Sequence, residues 1–282
     1  MASVETIARS WLDLHVRPNL RSAVEYERWI EVDVIPVWGN RLASSITRRE
    51  VIAFLDRIVE RGSPASATRI LDVISSMFGW AVDRERIDAN PCIRVKDPVP
   101  NVPRERYLSE DEIVELWRVL DTRGTPAPRQ IIRFLLITAQ RSGDALGMTA
   151  REVNGDLWEI PAERYKGQRP HIVPMTGLAI AHLPLHVKNP AEEPVHRLLA
   201  SDLMRRITRD WPGGRATPHD LRRTAQTHMG RLGISRFIRD RVIGHADTKL
   251  GATYDRWEYL AEKRAALETW SEWLADALGI HH

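Results

Sequence analysis

The chain has 282 residues, 43% of them hydrophobic and 28% charged, which is ordinary for a globular protein and excludes a disordered, collagen-like or coiled-coil chain. No apolar run reaches the length of a membrane span, and the N-terminus lacks the pattern of a secretion signal, so we expect a cytoplasmic protein with no membrane partner. The net charge of +3 argues only weakly for a polyanionic partner, and the single cysteine, Cys92, excludes an intrachain disulfide.

Residues 1–89 predict a small all-helical domain. Apolar residues recur at helical spacing in four stretches, and Thr47 with Glu50 fits a capping box at the start of the third helix. A Gly-Ser-Pro sequence ending at Pro64 separates the third helix from the fourth. Residues 90–106 contain four prolines and no helical period, which predicts a linker to a second domain.

Residues 107–282 predict a larger domain of mixed structure. Ser109 and Glu112 fit a second capping box, and a strongly apolar helix follows from Gln130 to Ala139. Later helices are predicted at about 177–183, 201–210, 218–231, 235–243 and 256–278.

Two short strands precede those later helices. The residue pattern predicts strands at 157–160 and 171–174, with a turn at Lys166-Gly167-Gln168 between them. The expected fold class is therefore mainly α with a small antiparallel β-sheet, an α+β arrangement.

Polar residues stand at four places of the second domain where an active site could form: Arg141 with Asp144, His219 with Arg222, His245, and Tyr254. His219 and Arg222 are three residues apart, on one face of a helix that Pro218 begins, and a helix N-terminus attracts anions. Each place alone also has a structural explanation: an ion pair at a helix end, a solvated helix face, a capped helix end and a packing tyrosine. Their combination and order carry more weight than any one of them.

The order of these residues resembles the tyrosine recombinase family, which includes the phage integrases and the Xer-type recombinases. The resemblance assigns six catalytic residues: Arg141, Lys166, His219, Arg222, His245 and Tyr254. The block HDLRRT and the nine-residue spacing from His245 to Tyr254 match the family pattern closely, and Lys166 stands at the expected turn of the hairpin. The resemblance implies a SAM-like helical core-binding domain in residues 1–89 and an integrase-like catalytic domain in residues 107–282.

The resemblance also implies that Tyr254 attacks a DNA phosphodiester and forms a 3′-phosphotyrosine. A phenol with a free pKa of about 10 is a poor nucleophile, so it needs a base or a strong electrostatic field. Arg141 and Arg222 would hold the nonbridging oxygens of the phosphate and stabilise the charge of the transition state. The phosphotyrosine would keep the energy of the broken bond, which implies joining without ATP.

The other site residues would handle protons and orientation. By family resemblance, Lys166 protonates the leaving 5′-oxygen. His219 and His245 would hydrogen-bond the phosphate, and His219 could also take the proton of the nucleophile. Asp144, which stands where the family more often has glutamate, would orient a basic partner.

No cofactor is implied by the sequence. His182 and His186 are four residues apart, but Pro184 between them argues against a regular zinc-binding helix turn. No glycine-rich phosphate loop appears, so no bound nucleotide is expected. The expected enzyme is a metal- and ATP-independent DNA strand transferase.

The expected partner is double-stranded DNA with specific recombination sites, at the bacterial nucleoid, where family members assemble into a tetramer. Residues 256–278 predict a helix with an apolar face, which packs either on its own domain or into a neighbouring protomer of that tetramer. The residues of this face are Trp257, Leu260, Ala261, Leu267, Trp270, Leu274 and Leu278. Accessory DNA-bending proteins are further candidate partners. There is no room before residue 1 for the separate arm-binding domain that many phage integrases carry, which leaves either a short, simple recombinase or a chain shortened at its N-terminus.

The leading hypothesis is a site-specific recombinase that integrates or excises a mobile element. Two alternatives stay open: a catalytically silent DNA-binding regulator on the same fold, and an enzyme that relaxes DNA like a type IB topoisomerase. A degenerate regulator usually loses one member of the catalytic set, whereas every member is present here. The short helical first domain also fits the recombinases better than the topoisomerases.

Overall fold

The computed structural model describes residues 2–20, 22–99, 105–167, 169–189, 196–245 and 259–280. The chain divides into two compact units, residues 1–103 and 104–282, each with its own hydrophobic core. None of the described helices is long and apolar enough to cross a membrane.

The described part of the first unit is built from helices. They are α1 Val4–Trp11, α2 Arg17–Asn19, α3 Ala23–Trp29, α4 Ile35–Trp38, α5 Arg48–Glu60 and α6 Pro64–Asp83, with π-helical turns at Leu12–Val16 and Ile30–Val34 and a 3-10 turn at Ala43–Ser45. The capping box predicted at the start of α5 is confirmed: the Glu50 N–H donates to Thr47 Oγ1 at 3.3 Å, and the Thr47 N–H donates to Glu50 Oε2 at 2.9 Å. Trp11, Ile74 and Phe78 are fully buried in the core between these helices.

The start of the proline-rich segment packs on this first unit. Cys92 is buried, its N–H donates to Asn90 Oδ1 at 2.9 Å, and burial raises the pKa of its thiol to about 12. The Asn90 side chain in turn donates to the Ser75 carbonyl at 3.0 Å, and Val95 packs against the same core. The first unit therefore continues beyond residue 89 into the segment predicted to be a linker.

The second unit carries the remaining helices. They are α7 Glu110–Thr122, α8 Pro126–Thr138, α9 Ser142–Leu146, α10 Gly177–Ala181, α11 Leu185–Lys188, α12 Arg197–Ile207, α13 Pro218–Arg231, α14 Arg236–Val242 and α15 Leu260–Leu278, with a 3-10 turn at Ala150–Glu152. The capping box of Ser109 and Glu112 is confirmed at the start of α7. The helix predicted at about 177–183 is present as α10, which ends at Ala181, because a residue directly before a proline, here Leu183, is disfavoured in a helix. Helix α11, which follows Pro184, was not predicted.

A small sheet stands between α9 and α10. Its strands are β1 Val153–Asn154, β2 Leu157–Ile160 and β3 His171–Pro174, in the order β1-β2-β3, and both pairs are antiparallel. Trp158 pairs with Val173 and Ile160 with His171, so the two predicted strands are confirmed. The predicted fold class, mainly helical with a small antiparallel sheet, is confirmed as well. Strand β1 was not predicted, because a two-residue strand is too short to show alternation.

Helix α15 lies on its own unit. The Trp270 indole donates to the Leu136 carbonyl at 3.1 Å, and the Lys263 ammonium donates to the Ile172 carbonyl at 2.7 Å. Leu267, Trp270 and Leu274 of the predicted apolar face are buried there, which is the first of the two alternatives for this helix. The prediction was wrong for Ala261, which is exposed, and Trp257 lies outside the described residues.

Candidate active site

The first part of the site follows α8. Helix α8 buries its whole last turn, and Ala139 after it takes a left-handed conformation with φ 58°. The chain then turns into α9, with Arg141 in the N-cap position and Asp144 in the first turn. Arg141 Nη1 lies 3.7 Å from Asp144 Oδ2, and both atoms are buried without a hydrogen-bond partner. The Arg141 side chain is 22% exposed, so its guanidinium can still donate to an anion such as a phosphate oxygen.

The second part of the site is the start of α13. Pro218 opens this helix, and Thr217 forms a capping box with Asp220, whose Oδ2 accepts from the Thr217 N–H at 2.8 Å. The sequence carries this Thr-x-x-Asp signal, but the prediction overlooked it. One turn into the helix, Arg222 is only 3% exposed, whereas His219 is exposed.

Arg222 donates hydrogen bonds to the C-terminal ends of two helices, α8 and α14. Its Nη1 donates to the Ala139 carbonyl at 3.0 Å, and its Nη2 donates to the Ile243 carbonyl. Because the last carbonyls of a helix have no partner within the helix, a buried guanidinium is a suitable donor for them. Arg222 is therefore a structural residue of the site as well as a charge within it.

The third part of the site is the end of α14. The Gly244 N–H donates to the Arg241 carbonyl at 3.1 Å, and the His245 N–H donates to the Asp240 carbonyl at 2.7 Å. These two bonds, with Gly244 at φ 66°, form the Schellman arrangement that ends many helices. The predicted capped helix end is thus present, and it also fixes the backbone of the exposed His245.

Charge couples these three parts. Desolvation lowers the pKa of His245, and the positive charges of Arg222 and Arg141 lower it further. Desolvation and the charges of Arg223 and Arg222 lower the pKa of His219 in the same way. Burial, together with the charge of Arg141, lowers the pKa of Arg222 to about 10. Since each group feels the charge of the others, they form one cationic site.

Asp144 is the carboxylate of this site. Burial raises its pKa, while the charges of Arg141, Arg164 and Arg222 act in the opposite direction. The Arg164 guanidinium also donates to the Asp144 carbonyl at 2.6 Å, which fixes the backbone of α9. Asp144 is therefore well placed to orient Arg141.

The remaining two predicted catalytic residues are Lys166 and Tyr254. Lys166 is exposed on the turn between β2 and β3, directly after the buried Tyr165. The turn predicted at Lys166-Gly167-Gln168 is present at its first two residues, and Gln168 lies outside the described residues. Tyr254, the predicted nucleophile, also lies outside them.

The structure adds three buried residues that the sequence analysis missed. The Gln140 amide donates to the carbonyls of Thr138 (2.8 Å) and Val242 (3.0 Å), and its Oε1 lies 3.3 Å from His171 Nε2. The His171 ring stacks on the Tyr165 ring with centroids 4.8 Å apart. Gln140 and Tyr165 are each next to a predicted catalytic residue in the chain, which is the one signal that could have found them.

A metal centre has no counterpart in the described part of the chain. No three or more histidine, cysteine, aspartate or glutamate side chains there are grouped to hold an ion. His186 Nε2 lies 3.1 Å from the Met148 carbonyl. The site itself offers different chemistry. Its basic side chains, such as Arg141 and Arg222, are hydrogen-bond donors that can surround an anion, as in phosphoryl-transfer sites.

Known protein families share this sequence pattern and fold. The profile of the phage integrase central domain matches residues 4–98, and that of the phage integrase family matches residues 106–259. The chain belongs to the phage integrase family of tyrosine recombinases. The resemblance seen in the sequence is thus confirmed, and this integrase-family chain is a tyrosine-type site-specific recombinase.

Individual relatives agree with this membership. The prophage integrase IntZ of Escherichia coli (strain K12) is 25% identical, over 96% of this chain and 71% of IntZ. A lambda integrase dimer bound to a COC′ core site superposes with a TM-score of 0.70 at 18% identity, over 90% of this chain and 99% of that one. A lambda integrase tetramer bound to a Holliday junction gives the same TM-score of 0.70 at 16% identity, over 90% and 81%. These structures share the fold of the integrase-family chain.

Proposed function

We propose that this recombinase cleaves and rejoins specific DNA sites through a 3′-phosphotyrosine on Tyr254, and so integrates or excises a mobile element. The observation that carries the proposal is the convergence of two guanidiniums and two imidazoles from three separate parts of the chain on one site. These groups are Arg141, His219, Arg222 and His245, with Asp144 as their carboxylate. Neither a silent regulator nor a topoisomerase-like enzyme gains support from the fold or the relatives.

The two arginines would play different parts. The Arg141 side chain is 22% exposed, so its guanidinium would bind a nonbridging oxygen of the scissile phosphate directly. Arg222 already donates to two carbonyls, so it would contribute its charge from behind the phosphate and keep the site in shape. The extra negative charge of the pentavalent transition state then meets positive charges that the fold already holds in the site.

Proton transfer would accompany each bond change. The bond from Tyr254 Oη to phosphorus forms while the bond from phosphorus to the 5′-oxygen breaks. The phenolic proton passes to His219, which the lowered pKa keeps neutral and able to accept it. Lys166 gives a proton to the leaving 5′-oxygen. The reverse sequence of steps would rejoin the strand to a new 5′-hydroxyl, with no nucleotide consumed.

The proposed partner is duplex DNA, and strand exchange would take place in a tetramer like that of lambda integrase on a Holliday junction. Because α15 uses its apolar face on its own unit, a protomer contact through this helix would use its other, exposed face. An enzyme acting on such a substrate would work in the cytoplasm, at the nucleoid.

A nicked suicide substrate carrying the ends of the mobile element tests this proposal. With EDTA present, the recombinase should form a covalent protein–DNA adduct that resists SDS, because loss of the short nicked fragment prevents rejoining. Tyr254→Phe should form no adduct and keep its DNA affinity within a few-fold. An adduct that persists in Tyr254→Phe, or one that needs a divalent metal, would contradict the mechanism.

A further inference from the structure

We propose that Tyr165 is a positioning residue of the recombinase, whose ring holds Arg141 and whose hydroxyl holds the backbone that carries His245. The inference rests on the proposed function of this site. Tyr165 is 1% exposed and directly precedes Lys166, so a single side chain stands among three of the predicted catalytic groups.

The ring of Tyr165 supports Arg141. The guanidinium carbon of Arg141 lies 5.0 Å from the centroid of this ring, within the range of a cation–π contact. The other ring contact is with His171, which stacks at 4.8 Å with an interplanar angle of 19°. Since Arg141 Nη1 lacks a hydrogen-bond partner, this contact and Asp144 are what hold the guanidinium ready for the phosphate.

The hydroxyl of Tyr165 acts on the end of α14. It donates to the Gly244 carbonyl at 3.0 Å and lies 3.5 Å from the Ile243 carbonyl. Three consecutive carbonyls of this helix end therefore accept from three different parts of the chain. Val242 accepts from Gln140, Ile243 from Arg222, and Gly244 from Tyr165. The last of these fixes the peptide that joins Gly244 to His245.

Gly244 leaves room for this contact. A methyl group on Gly244 would overlap the Tyr165 hydroxyl and would lie 2.8 Å from Tyr165 Cζ and 3.2 Å from His171 Cε1. The close approach is possible only because Gly244 has no side chain. The contact therefore depends on both Tyr165 and Gly244. It sets the distance between the β2–β3 hairpin and the peptide before His245.

The first test is single-turnover adduct formation with the full-length chain. Tyr165→Phe removes only the hydroxyl, and we expect adduct formation to slow about fivefold to tenfold at unchanged DNA affinity. Tyr165→Leu also removes the ring, and we expect slowing on the order of 50-fold. Full wild-type rates in both variants would overturn the proposal.

Tyr107 offers a matched control. The Arg231 guanidinium lies over the Tyr107 ring at 5.5 Å and donates to the Tyr107 hydroxyl at 3.1 Å. Among the residues that the structure describes, Tyr107 contacts none of those assigned to the site. Tyr107→Phe and Tyr107→Leu should leave adduct formation at the wild-type rate. Equal slowing in the Tyr107 and Tyr165 variants would mean a general loss of stability and would overturn the positioning role.

A measurement without DNA separates this inference from the proposed function. Desolvation and the charges of Arg222 and Arg141 lower the pKa of His245. In Tyr165→Leu this pKa, followed by NMR, should rise by the part of the lowering that comes from Arg141, because the ring no longer holds that guanidinium in place. Tyr165→Phe keeps the ring and should show a smaller change. An unchanged pKa of His245 in Tyr165→Leu would overturn the positioning role. If the wild-type chain formed no adduct, the proposed function would fail, while this titration would still decide the position of Arg141.

Discussion

At the scale of single residues, Arg141 and Arg222 carry the same charge in different surroundings. Arg222 is 3% exposed and donates to the carbonyls of Ala139 and Ile243, whereas Arg141 keeps a buried Nη1 without a partner. Arg141 therefore donates to no backbone carbonyl of this kind and can bind a ligand, whereas Arg222 already holds two carbonyls of the fold.

This difference predicts separate effects on folding. Arg222→Ala leaves two buried carbonyls without a donor and should lower the free energy of unfolding by about 2–4 kcal/mol. Arg141→Ala leaves no backbone carbonyl without its donor but removes the ion pair with Asp144 and the ring contact with Tyr165, so it should lower the same free energy by a smaller amount, about 1 kcal/mol. Both should slow adduct formation by at least about 100-fold. Urea unfolding beside suicide-substrate kinetics checks this, and equal losses of stability in both variants would contradict it.

The histidines predict a dependence of DNA binding on pH. Desolvation and the arginine charges lower the pKa values of His219 and His245, so both are neutral at pH 7 in the free protein. A phosphate favours the protonated form, so binding should take up protons and tighten as pH falls below about 6.5. Affinity measured between about pH 5 and 8 checks this expectation. His219→Gln with His245→Gln should flatten the profile; the same slope in that double variant would point to other groups.

The same shifts act on stability with a definite sign. A folded-state pKa below the unfolded value means that the unfolded chain binds more protons in that window. The contribution of His219 and His245 to the free energy of unfolding is therefore greatest above about pH 6.5 and is lost as pH falls towards their folded values. Urea unfolding at several pH values should show that the wild type loses stability relative to the double variant as pH falls below about 6.5, whereas the difference between them stays constant above it.

At the scale of elements, the end of α14 joins the hairpin to the site through one close contact. Gly244→Ala should destabilise the chain by at least about 2 kcal/mol, since alanine disfavours the left-handed conformation and its methyl group overlaps the Tyr165 hydroxyl. In a Tyr165→Leu background the overlap with the hydroxyl disappears, while the backbone strain and the 3.2 Å approach to His171 Cε1 remain. The combined loss should then be smaller than the sum of the two single losses. A double-mutant cycle by urea unfolding measures the coupling free energy between the two positions. Additive losses would show that the residues at these positions do not interact.

The elements also show where sequence patterns were sufficient. Capping boxes such as Ser109–Glu112 and the strands of the hairpin depend on neighbours within a few residues, so local spacing was enough to predict them. The contacts of Gln140 and Tyr165 join residues 102 and 79 positions apart in the chain. Local spacing carries no information about such pairs. The buried Lys263 is a further case, since an apolar pattern gives no reason to place a cation inside.

At the scale of the whole molecule, a net charge of +3 is small for a protein that binds DNA. Affinity must therefore come from local groups of cations, of which the active site is one. We expect log Kd to rise steeply and linearly with log salt, with a loss of roughly 1000-fold or more between about 50 and 200 mM salt. Fluorescence anisotropy on the cognate site measures the slope. Binding that is independent of salt would argue against phosphate contacts as the main source of affinity.

The order of the site residues along the chain, with the spacing of the later ones, indicated the family at this scale, and the family profiles confirmed it. The roles of the individual residues are a different matter. The sequence presented Arg141 and Arg222 as an equivalent pair, and only burial and hydrogen bonding separate them. The role of Tyr254 stays a prediction.

The three donors at the end of α14 have a consequence for engineering. Gln140, Arg222 and Tyr165 donate hydrogen bonds to three adjacent carbonyls. A substitution at one of these residues should therefore change the effect on activity of a substitution at the other two. Directed evolution of this recombinase towards new target sites would meet strong epistasis at these positions and at Gly244. Libraries that keep these four residues unchanged should contain a larger share of active clones than libraries in which any one of the four is randomised.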